Sequence, residues 1–123
     1  MFSQFAQEHI QRPRNMGPLD GATHHGVDGV PGDGPYAELW LRVEGGRIQA
    51  ATYRTYGCPS MIACCGVVTE VLVGRTLLEA SSLSAADVEV MVRPLPEGKG
   101  DCPERVVGAL RSALSGQAGE LVK

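Results

Sequence analysis

The chain has 123 residues, of which 43% are hydrophobic and only 5% aromatic, and its formal net charge is −3. This length predicts a single domain over residues 1–123, with a core of aliphatic side chains. The sequence has no basic stripe, which argues against nucleic acid as a partner. No apolar run approaches the roughly 20 residues that cross a membrane, and no apolar signal-peptide core precedes residue 14. We therefore expect a cytoplasmic protein.

The first half of the chain predicts strands. Ser3 can cap a short helix, and the Gly-rich segment 20–35 predicts a loop with at most one short strand. Residues 36–44 alternate between apolar and polar side chains, as in a half-buried strand. Gly45 and Gly46 then suit a two-residue hairpin turn, because both tolerate positive φ. Residues 47–56 are predicted to return as the second strand of this hairpin.

The second half predicts helices. Apolar spacing indicates helices over about 59–73 and 103–115. The pairs Thr76 with Glu79 and Ser84 with Asp87 are typical capping boxes of two shorter helices. Strands followed by helices predict an α+β fold, in which helices pack on one face of a small antiparallel three-stranded sheet.

Two of the four cysteines precede a proline that opens a predicted helix, Cys58 before Pro59 and Cys102 before Pro103. Proline is favoured at the first helical position, so each thiol is predicted at a helix N-cap. There the helix dipole favours the thiolate, the form that binds metal or attacks sulfur. In a reducing compartment, metal binding or catalysis is more typical of such cysteines than disulfides. The alternative is that both are small buried hydrophobic residues.

Five segments in sequence order resemble motifs of one protein family, the IscU/NifU-type iron–sulfur cluster assembly scaffolds. They are RPRNMG (12–17), GD (32–33), TYGCPSMIA (55–63), GRTLLEA (74–80) and LPEGKGDC (95–102). The match runs from about residue 8 to residue 114, nearly the whole chain. It implies a SufE/NifU-like fold and a binding protein that is not an enzyme. It also implies a cysteine desulfurase and cluster-acceptor proteins as partners.

The resemblance also implies a ligand set. The family holds a nascent [2Fe–2S] cluster, iron or zinc between three cysteines and an aspartate. By position, Cys58 and Cys102 match the second and third cysteines, and Asp33 matches the aspartate. The first cysteine, expected just before Gly32, is replaced by Pro31. We therefore predict that Asp33, Cys58 and Cys102 converge at one end of the molecule, although Asp33 could also be only a turn residue.

Three further departures from the family affect this site. Asp101 stands where the family has histidine, and it is either a solvated charge or an oxygen ligand. Glu97 replaces a proline in the segment that an Hsp70-type chaperone reads in the family, so the chaperone contact is in doubt. Gly34 and Pro35 lengthen the ligand loop.

Cys64 and Cys65 have no counterpart in the family. Either they fill small core positions, or Cys65 replaces the missing first ligand. Cys65 follows Cys58 by seven residues and so lies on nearly the same helix face, but about 10 Å further along the axis, which argues against direct ligation. Of the histidines, His24 and His25 are predicted to be a solvated loop pair and His9 a surface residue.

Four functions remain open from the sequence. The first is a scaffold or carrier for iron–sulfur clusters. The second is a zinc-binding sulfur acceptor of the same fold, and the third is a metal-free homologue that acts as a partner protein. The fourth is a thiol enzyme with Cys58 as nucleophile. It ranks last, because the chain has no C-x-x-C pair and no motif that supplies a histidine base.

Overall fold

The computed structural model describes residues 4–57, 59–93 and 101–115, except for the Phe5 side chain. These residues form α1 (Gln4–Gln11), β1 (His24–Asp28), β2 (Tyr36–Glu44), β3 (Arg47–Tyr56), α2 (Pro59–Leu72), α3 (Leu77–Ser81), α4 (Ala85–Val92) and α5 (Asp101–Ser115). The three strands form one antiparallel sheet in the order β1-β2-β3. Among the described helices, none is long and apolar enough to cross a membrane.

The β2–β3 hairpin has the predicted bounds and turn. Gly45 and Gly46 both have positive φ, 62° and 78°, as a tight two-residue turn that follows the strand twist requires. A register shift between Arg42 and Val43 marks an irregularity in the pairing near this turn. Alternation in the sequence is therefore sufficient to place both strands.

Helices α2 and α5 pack against the sheet. They cover the face whose side chains are buried, namely Ala37, Leu39, Leu41, Ala51 and Tyr53. This arrangement confirms the predicted α+β class, with a three-stranded antiparallel sheet and helices on one face. The core is mainly aliphatic, as the composition predicts.

β1 and α5 approach each other at two glycines. A Cβ atom at Gly26 would overlap the backbone nitrogen of Ala113 and the carbonyl oxygen of Ala109. A Cβ atom at Gly108 would overlap a carboxylate oxygen of Asp28. The absence of side chains at both glycines therefore allows α5 to lie directly on β1.

The segment before β1 pairs with β3. The Gly17 N–H donates to the Tyr53 carbonyl at 2.7 Å, and the Tyr53 N–H donates to the Asn15 carbonyl at 2.8 Å. Asn15 adopts a positive φ of 62°, a conformation that asparagine tolerates better than most residues. This pairing gives the RPRNMG motif a structural role, which is to cover the β3 edge.

Both capping boxes are confirmed. The Thr76 hydroxyl accepts from the Glu79 N–H while the Glu79 carboxylate accepts from the Thr76 N–H. Ser84 and Asp87 make the same reciprocal pair at α4. The hydrogen bond from the backbone is the largest of several causes that lower the pKa of each carboxyl group. It lowers the pKa because it stabilises the charged form.

Some predicted bounds differ from the structure. α5 begins at Asp101, two residues before the predicted start, and α2 ends at Leu72 rather than about residue 73. The predicted Ser3 cap lies outside the described residues. β1 occupies part of the segment predicted as mostly loop.

The prediction for His9 was wrong. Its side chain is 0% exposed and lies against Gly66, where a Cβ atom would meet the imidazole ring. Burial lowers the pKa of His9, while the nearby Glu70 carboxylate opposes that shift. His9 thus packs α1 against α2 instead of facing solvent.

The prediction of a solvated loop for His24 and His25 was also wrong, because both lie on β1. His25 Nε2 lies 2.6 Å from a carboxylate oxygen of Glu38. The other Glu38 oxygen accepts two hydrogen bonds from Arg54, at 2.9 and 3.1 Å. Trp40 contacts both partners, with its ring centroid 5.2 Å from that of His25 and 5.4 Å from the Arg54 guanidinium carbon. This cluster lies on the sheet face opposite α2 and α5.

Candidate metal centre

Asp33 lies in an exposed turn between β1 and β2. Its N–H donates to the Val30 carbonyl at 2.9 Å, and the flanking Gly32 and Gly34 both have a φ of +89°. The glycines therefore allow the chain to turn sharply on either side of Asp33. The aspartate is an exposed residue of this loop.

The Asp33 loop and Gly57 lie at the same end of the sheet. Tyr36, the first residue of β2, pairs with Tyr56, the last residue of β3, and Gly57 follows directly. Gly57 has a φ of 152° and leads the chain from β3 into α2. Cys58 itself lies outside the described residues.

The first turn of α5 lies at this end as well. Along β1, Gly26 meets α5 at Ala109 and Ala113, whereas Asp28 meets it at Gly108 and Arg105. The helix start therefore extends past the Asp28 end of β1, toward the Asp33 loop. Asp33 and Cys102 thus come from segments that lie at the same end of the sheet.

Cys102 is the second residue of α5 rather than its N-cap, because the helix begins at Asp101. Its side chain is buried, with 3% exposed. It still lies in the first turn, where backbone N–H groups lack partners within the helix and the dipole is positive. Cys102 therefore lies at a helix start, although the predicted cap position was wrong, and its thiolate character stays a prediction.

Cys64 and Cys65 are buried within α2, each with 0% exposed. Burial raises the pKa of the Cys65 thiol to about 12; a hydrogen bond with Thr55 opposes this rise, and the nearby Cys102 thiolate adds to it. Cys65 is therefore close enough to Cys102 for the charge of one to affect the pKa of the other. Its thiol is protonated at neutral pH, which disfavours it as a metal ligand, because thiolates rather than thiols bind metals.

Asp101 is exposed and forms an ion pair with Arg105 at 3.8 Å. Arg105 also donates to Asp28 at 3.2 Å. The Asp101 carboxylate is therefore already paired with a cation on the β1 side of α5. Its role as an oxygen ligand stays a prediction.

Within residues 4–57, 59–93 and 101–115, no three His, Cys, Asp or Glu side chains form a group that could hold a metal ion. A ligand set built on Asp33 and Cys102 therefore needs a group from outside these residues, and Cys58 is the one that the sequence predicts. Shared ligation by these three residues stays a prediction.

The family profile described as "NifU-like N terminal domain" matches residues 1–120 of the chain. The chain belongs to the NifU-like N-terminal domain family. The IscU/NifU-type resemblance of its sequence motifs is thereby confirmed.

Two curated relatives are named as iron–sulfur cluster assembly scaffold proteins. The iron–sulfur cluster assembly scaffold protein IscU 1 of Archaeoglobus fulgidus is 32% identical over 114 residues, which cover 93% of this chain and 74% of the relative. The IscU scaffold protein of Escherichia coli is 31% identical over 118 residues, which cover 93% and 91%.

Solved structures agree on the fold. A putative iron–sulfur cluster assembly scaffold protein for the SUF system, from Fervidobacterium islandicum, superposes with a TM-score of 0.69 at 17% identity and covers 91% of this chain and 95% of its own. The N-terminal part of a NifU-like protein from Brucella abortus superposes with a TM-score of 0.56 at 14% identity, covering 91% and 79%.

Sequence reasoning missed several residues that the NifU-like fold places near this end. Tyr36, Arg54 and Tyr56, with Gly32, Gly34 and Thr55, line an open depression of about 630 Å³. Strand pairing explains their proximity, since they flank the ends of β2 and β3. Their position next to the GD and TYGC motifs is the signal that could have found them.

Proposed function

We propose that this chain is an assembly scaffold for iron–sulfur clusters that holds the nascent cluster through Cys58, Cys102 and Asp33. The supporting observation is the match to the NifU-like family over residues 1–120. The location of the Asp33 loop, Gly57 and the α5 start at the same end of the sheet is consistent with it. The cluster is cargo, which an acceptor protein then receives.

In this proposal a cysteine desulfurase delivers sulfur as a persulfide to Cys58 or Cys102, and iron joins there. The chain binds and transfers rather than turning over a substrate as an enzyme. Its three proposed ligands are one short of the four that a [2Fe–2S] cluster normally requires. We therefore expect weak cluster retention by the isolated chain, which suits a carrier that releases its cargo.

Anaerobic reconstitution with ferrous iron and sulfide tests the ligand set. Cys58→Ser, Cys102→Ser and Asp33→Ala should each change the cluster absorbance and the bound sulfide per chain, and the two cysteine variants should lose most of both. Cys64→Ser is the matched control, because Cys64 is buried within α2. Equal loading of the parent and both serine variants would contradict the proposed site.

A zinc-binding sulfur acceptor is the second candidate function. It is supported by Pro31 at the position of a family cysteine and by burial of Cys65, which raises its pKa to about 12 and removes it as a ready replacement. Zinc accepts mixed cysteine and aspartate ligands, whereas iron–sulfur clusters depend on thiolates.

Metal and acid-labile sulfide analysis after anaerobic purification separates these candidates. Iron and sulfide in equal amounts support the scaffold. Zinc without sulfide supports the acceptor, and the absence of both metal and sulfide supports a metal-free partner protein.

Glu97, where the chaperone contact is in doubt, lies outside the described residues.

A further inference from the structure

The open depression at the ends of β2 and β3 offers side chains for which cluster assembly has no use. Its volume, about 630 Å³, lies within the range of about 300–1,000 Å³ that is typical of small-molecule sites. Its side chains supply two aromatic rings, from Tyr36 and Tyr56, and one guanidinium group, from Arg54. Neither Asp33 nor Cys102 is among its lining residues, so the depression is separate from the proposed ligands that the structure describes.

The two tyrosines form one aromatic surface. Tyr36 and Tyr56 pair directly across β2 and β3, so their side chains leave the same face of the sheet with Cβ atoms about 5 Å apart. Tyr56 is 65% exposed, and its ring is therefore available to a ligand. A planar ring that stacks on it gains contact area at little cost in conformational entropy, because tyrosine has few rotatable bonds.

Arg54 lies on the same face, because it precedes Tyr56 by two residues of β3. Its Nε and Nη2 atoms both donate to one carboxylate oxygen of Glu38, at 3.1 and 2.9 Å. Neither bond uses Nη1. The guanidinium is a planar fork that can bind one carboxylate or phosphate on each edge. One edge of Arg54 is thus bound to Glu38, and the edge with Nη1 is available to a second anion.

The surroundings of Arg54 hold its charge toward solvent. The Glu38 side chain is 8% exposed, whereas that of Arg54 is 50% exposed. The second Glu38 oxygen lies 2.6 Å from His25 Nε2, and the Trp40 ring centroid lies 5.4 Å from the Arg54 guanidinium carbon. The carboxylate is therefore buried behind the cation. A guanidinium that is already held in place loses less side-chain freedom when it binds an anion.

We propose that this depression binds a small aromatic anion, with Arg54 on its phosphate or carboxylate group and the Tyr36–Tyr56 pair against its planar ring. The site is independent of the proposed function, because it requires neither a metal nor a cysteine. Asp33 contributes a carboxylate to the same loop, between Gly32 and Gly34, and therefore favours a ligand with a single anionic group over a polyphosphate.

Titration of the metal-free chain with four probes tests the ligand class. AMP has a ring and a phosphate, benzoate has a ring and a carboxylate, adenosine has only the ring system and its sugar, and inorganic phosphate has only the anion. Isothermal titration calorimetry at low ionic strength measures the dissociation constants. Changes in the NMR signals of the Gly32, Gly34 and Thr55 amides locate the bound probe.

Two variants separate the anion contact from the ring contact. Arg54→Lys keeps the charge and removes the planar fork, whereas Tyr56→Leu removes the ring. Arg42→Lys is the matched control, because Arg42 lies on the same face of β2, is 38% exposed and pairs with Glu44 at 3.5 Å, but does not line the depression. The exposed position of Tyr56 keeps the test valid even if Arg54→Lys weakens the fold around Glu38.

We expect the parent to bind AMP or benzoate at least about fivefold more tightly than adenosine or inorganic phosphate, because only the first two reach both contacts. Tighter binding of AMP identifies phosphate as the preferred anionic group, and tighter binding of benzoate identifies carboxylate. Arg54→Lys and Tyr56→Leu should each weaken the preferred probe at least about fivefold. Arg42→Lys should bind it as the parent does.

Three results would overturn the proposal. The first is no saturable binding of AMP or benzoate by the parent at millimolar concentration. The second is inorganic phosphate binding as tightly as both aromatic probes, which would mean that the tyrosines contribute nothing. The third is an equal loss in Arg42→Lys and Arg54→Lys, or NMR changes only at residues away from the depression. None of these results affects cluster loading by the proposed ligands, so the two functions are tested separately.

Discussion

Position 31 illustrates how a single residue can serve the local turn at the expense of a ligand. Pro31 and Gly32 are the central residues of the turn closed by the hydrogen bond from the Asp33 N–H to Val30. Proline is favoured at the first central position, and the positive φ of Gly32, +89°, suits the second. The turn thus explains the proline without any reference to metal binding.

Pro31→Cys should raise cluster retention by supplying the thiolate that the family places just before Gly32. The first central position of such a turn accepts most residues, so the substitution should cost no more than about 1 kcal/mol of stability. Cluster absorbance and sulfide content after anaerobic reconstitution measure the effect, with Pro31→Ser as the control. Equal and stable loading of the parent and Pro31→Cys would show that the parent already has its full ligand set.

The cysteines should differ strongly in reactivity. Cys64 and Cys65 are fully buried, and burial raises the pKa of Cys65 to about 12. We expect Cys58 of the metal-free chain to be alkylated first, because its predicted helix-start position favours the thiolate. Mass-mapped alkylation at neutral pH checks the order. Faster labelling of Cys64 or Cys65 would contradict both the burial and the helix-start argument.

At the scale of elements, two helix contacts depend on residues that contribute little apolar surface. α1 meets α2 through His9 against Gly66, and α5 meets β1 through Gly26 and Gly108. The burial of His9 should make the α1–α2 contact sensitive to charge, and the backbone approach at Gly26 should make the α5–β1 contact sensitive to added volume.

The α1–α2 contact should make stability depend on pH. Burial lowers the pKa of His9 in the folded protein from its ordinary 6.5, so the unfolded chain binds this proton more readily. His9 therefore contributes stability that is complete above about pH 6.5 and is lost as the pH falls through the lowered folded pKa.

Urea unfolding at pH 7.5 and 5.5 measures this loss in the free energy of unfolding. His9→Gln should reduce the difference between the two pH values, whereas His24→Gln on β1 should leave it nearly unchanged. The same difference in the parent and His9→Gln would show that other groups, such as the neighbouring Glu70 and Arg14, cause the pH dependence.

Alanine at the two glycines of the α5–β1 contact should affect the free energy of unfolding differently. Gly26→Ala places a methyl group on the backbone of Ala113 and Ala109, which cannot move without shifting α5. We expect a loss of about 1–3 kcal/mol in the free energy of unfolding, typical of overpacking. Gly108→Ala is the matched control, since its methyl group meets only the Asp28 side chain, which can move, and it gains up to about 1 kcal/mol in helix propensity. Equal destabilisation by both substitutions would contradict this account of the interface.

For the whole molecule, metal binding and folding should be linked, because the proposed ligands come from segments far apart in the sequence. Asp33, Cys58 and Cys102 can approach one another only in the folded chain. Any metal that binds them therefore stabilises the folded state by mass action.

Zinc should raise the melting temperature of the chain, with a gain of about 2.7 kcal/mol at a free concentration 100 times the dissociation constant. Cys102→Ser should lose most of this zinc-dependent increase, and Cys64→Ser should keep it. Differential scanning calorimetry with zinc and with a chelator measures both. An increase that is the same in Cys102→Ser and the parent would place zinc binding elsewhere.

The sequence by itself determined the features that depend on neighbouring residues. These include the β2–β3 hairpin with its Gly45–Gly46 turn and the two capping boxes. Alternation, turn chemistry and caps act over a few residues, so they can be recognised without knowing the fold. The family motifs were recognisable for the same reason, because each is a short contiguous segment.

Only the tertiary structure decided which distant residues meet. It buried His9 against Gly66 and joined His25, Glu38 and Arg54 on the open face of the sheet. It also placed Cys65 of α2 close enough to Cys102 of α5 for the charge of Cys102 to raise the pKa of Cys65. The physical reason is that such contacts follow from helix packing and strand register. The spacing of residues along the chain does not determine how the helices and strands pack against one another.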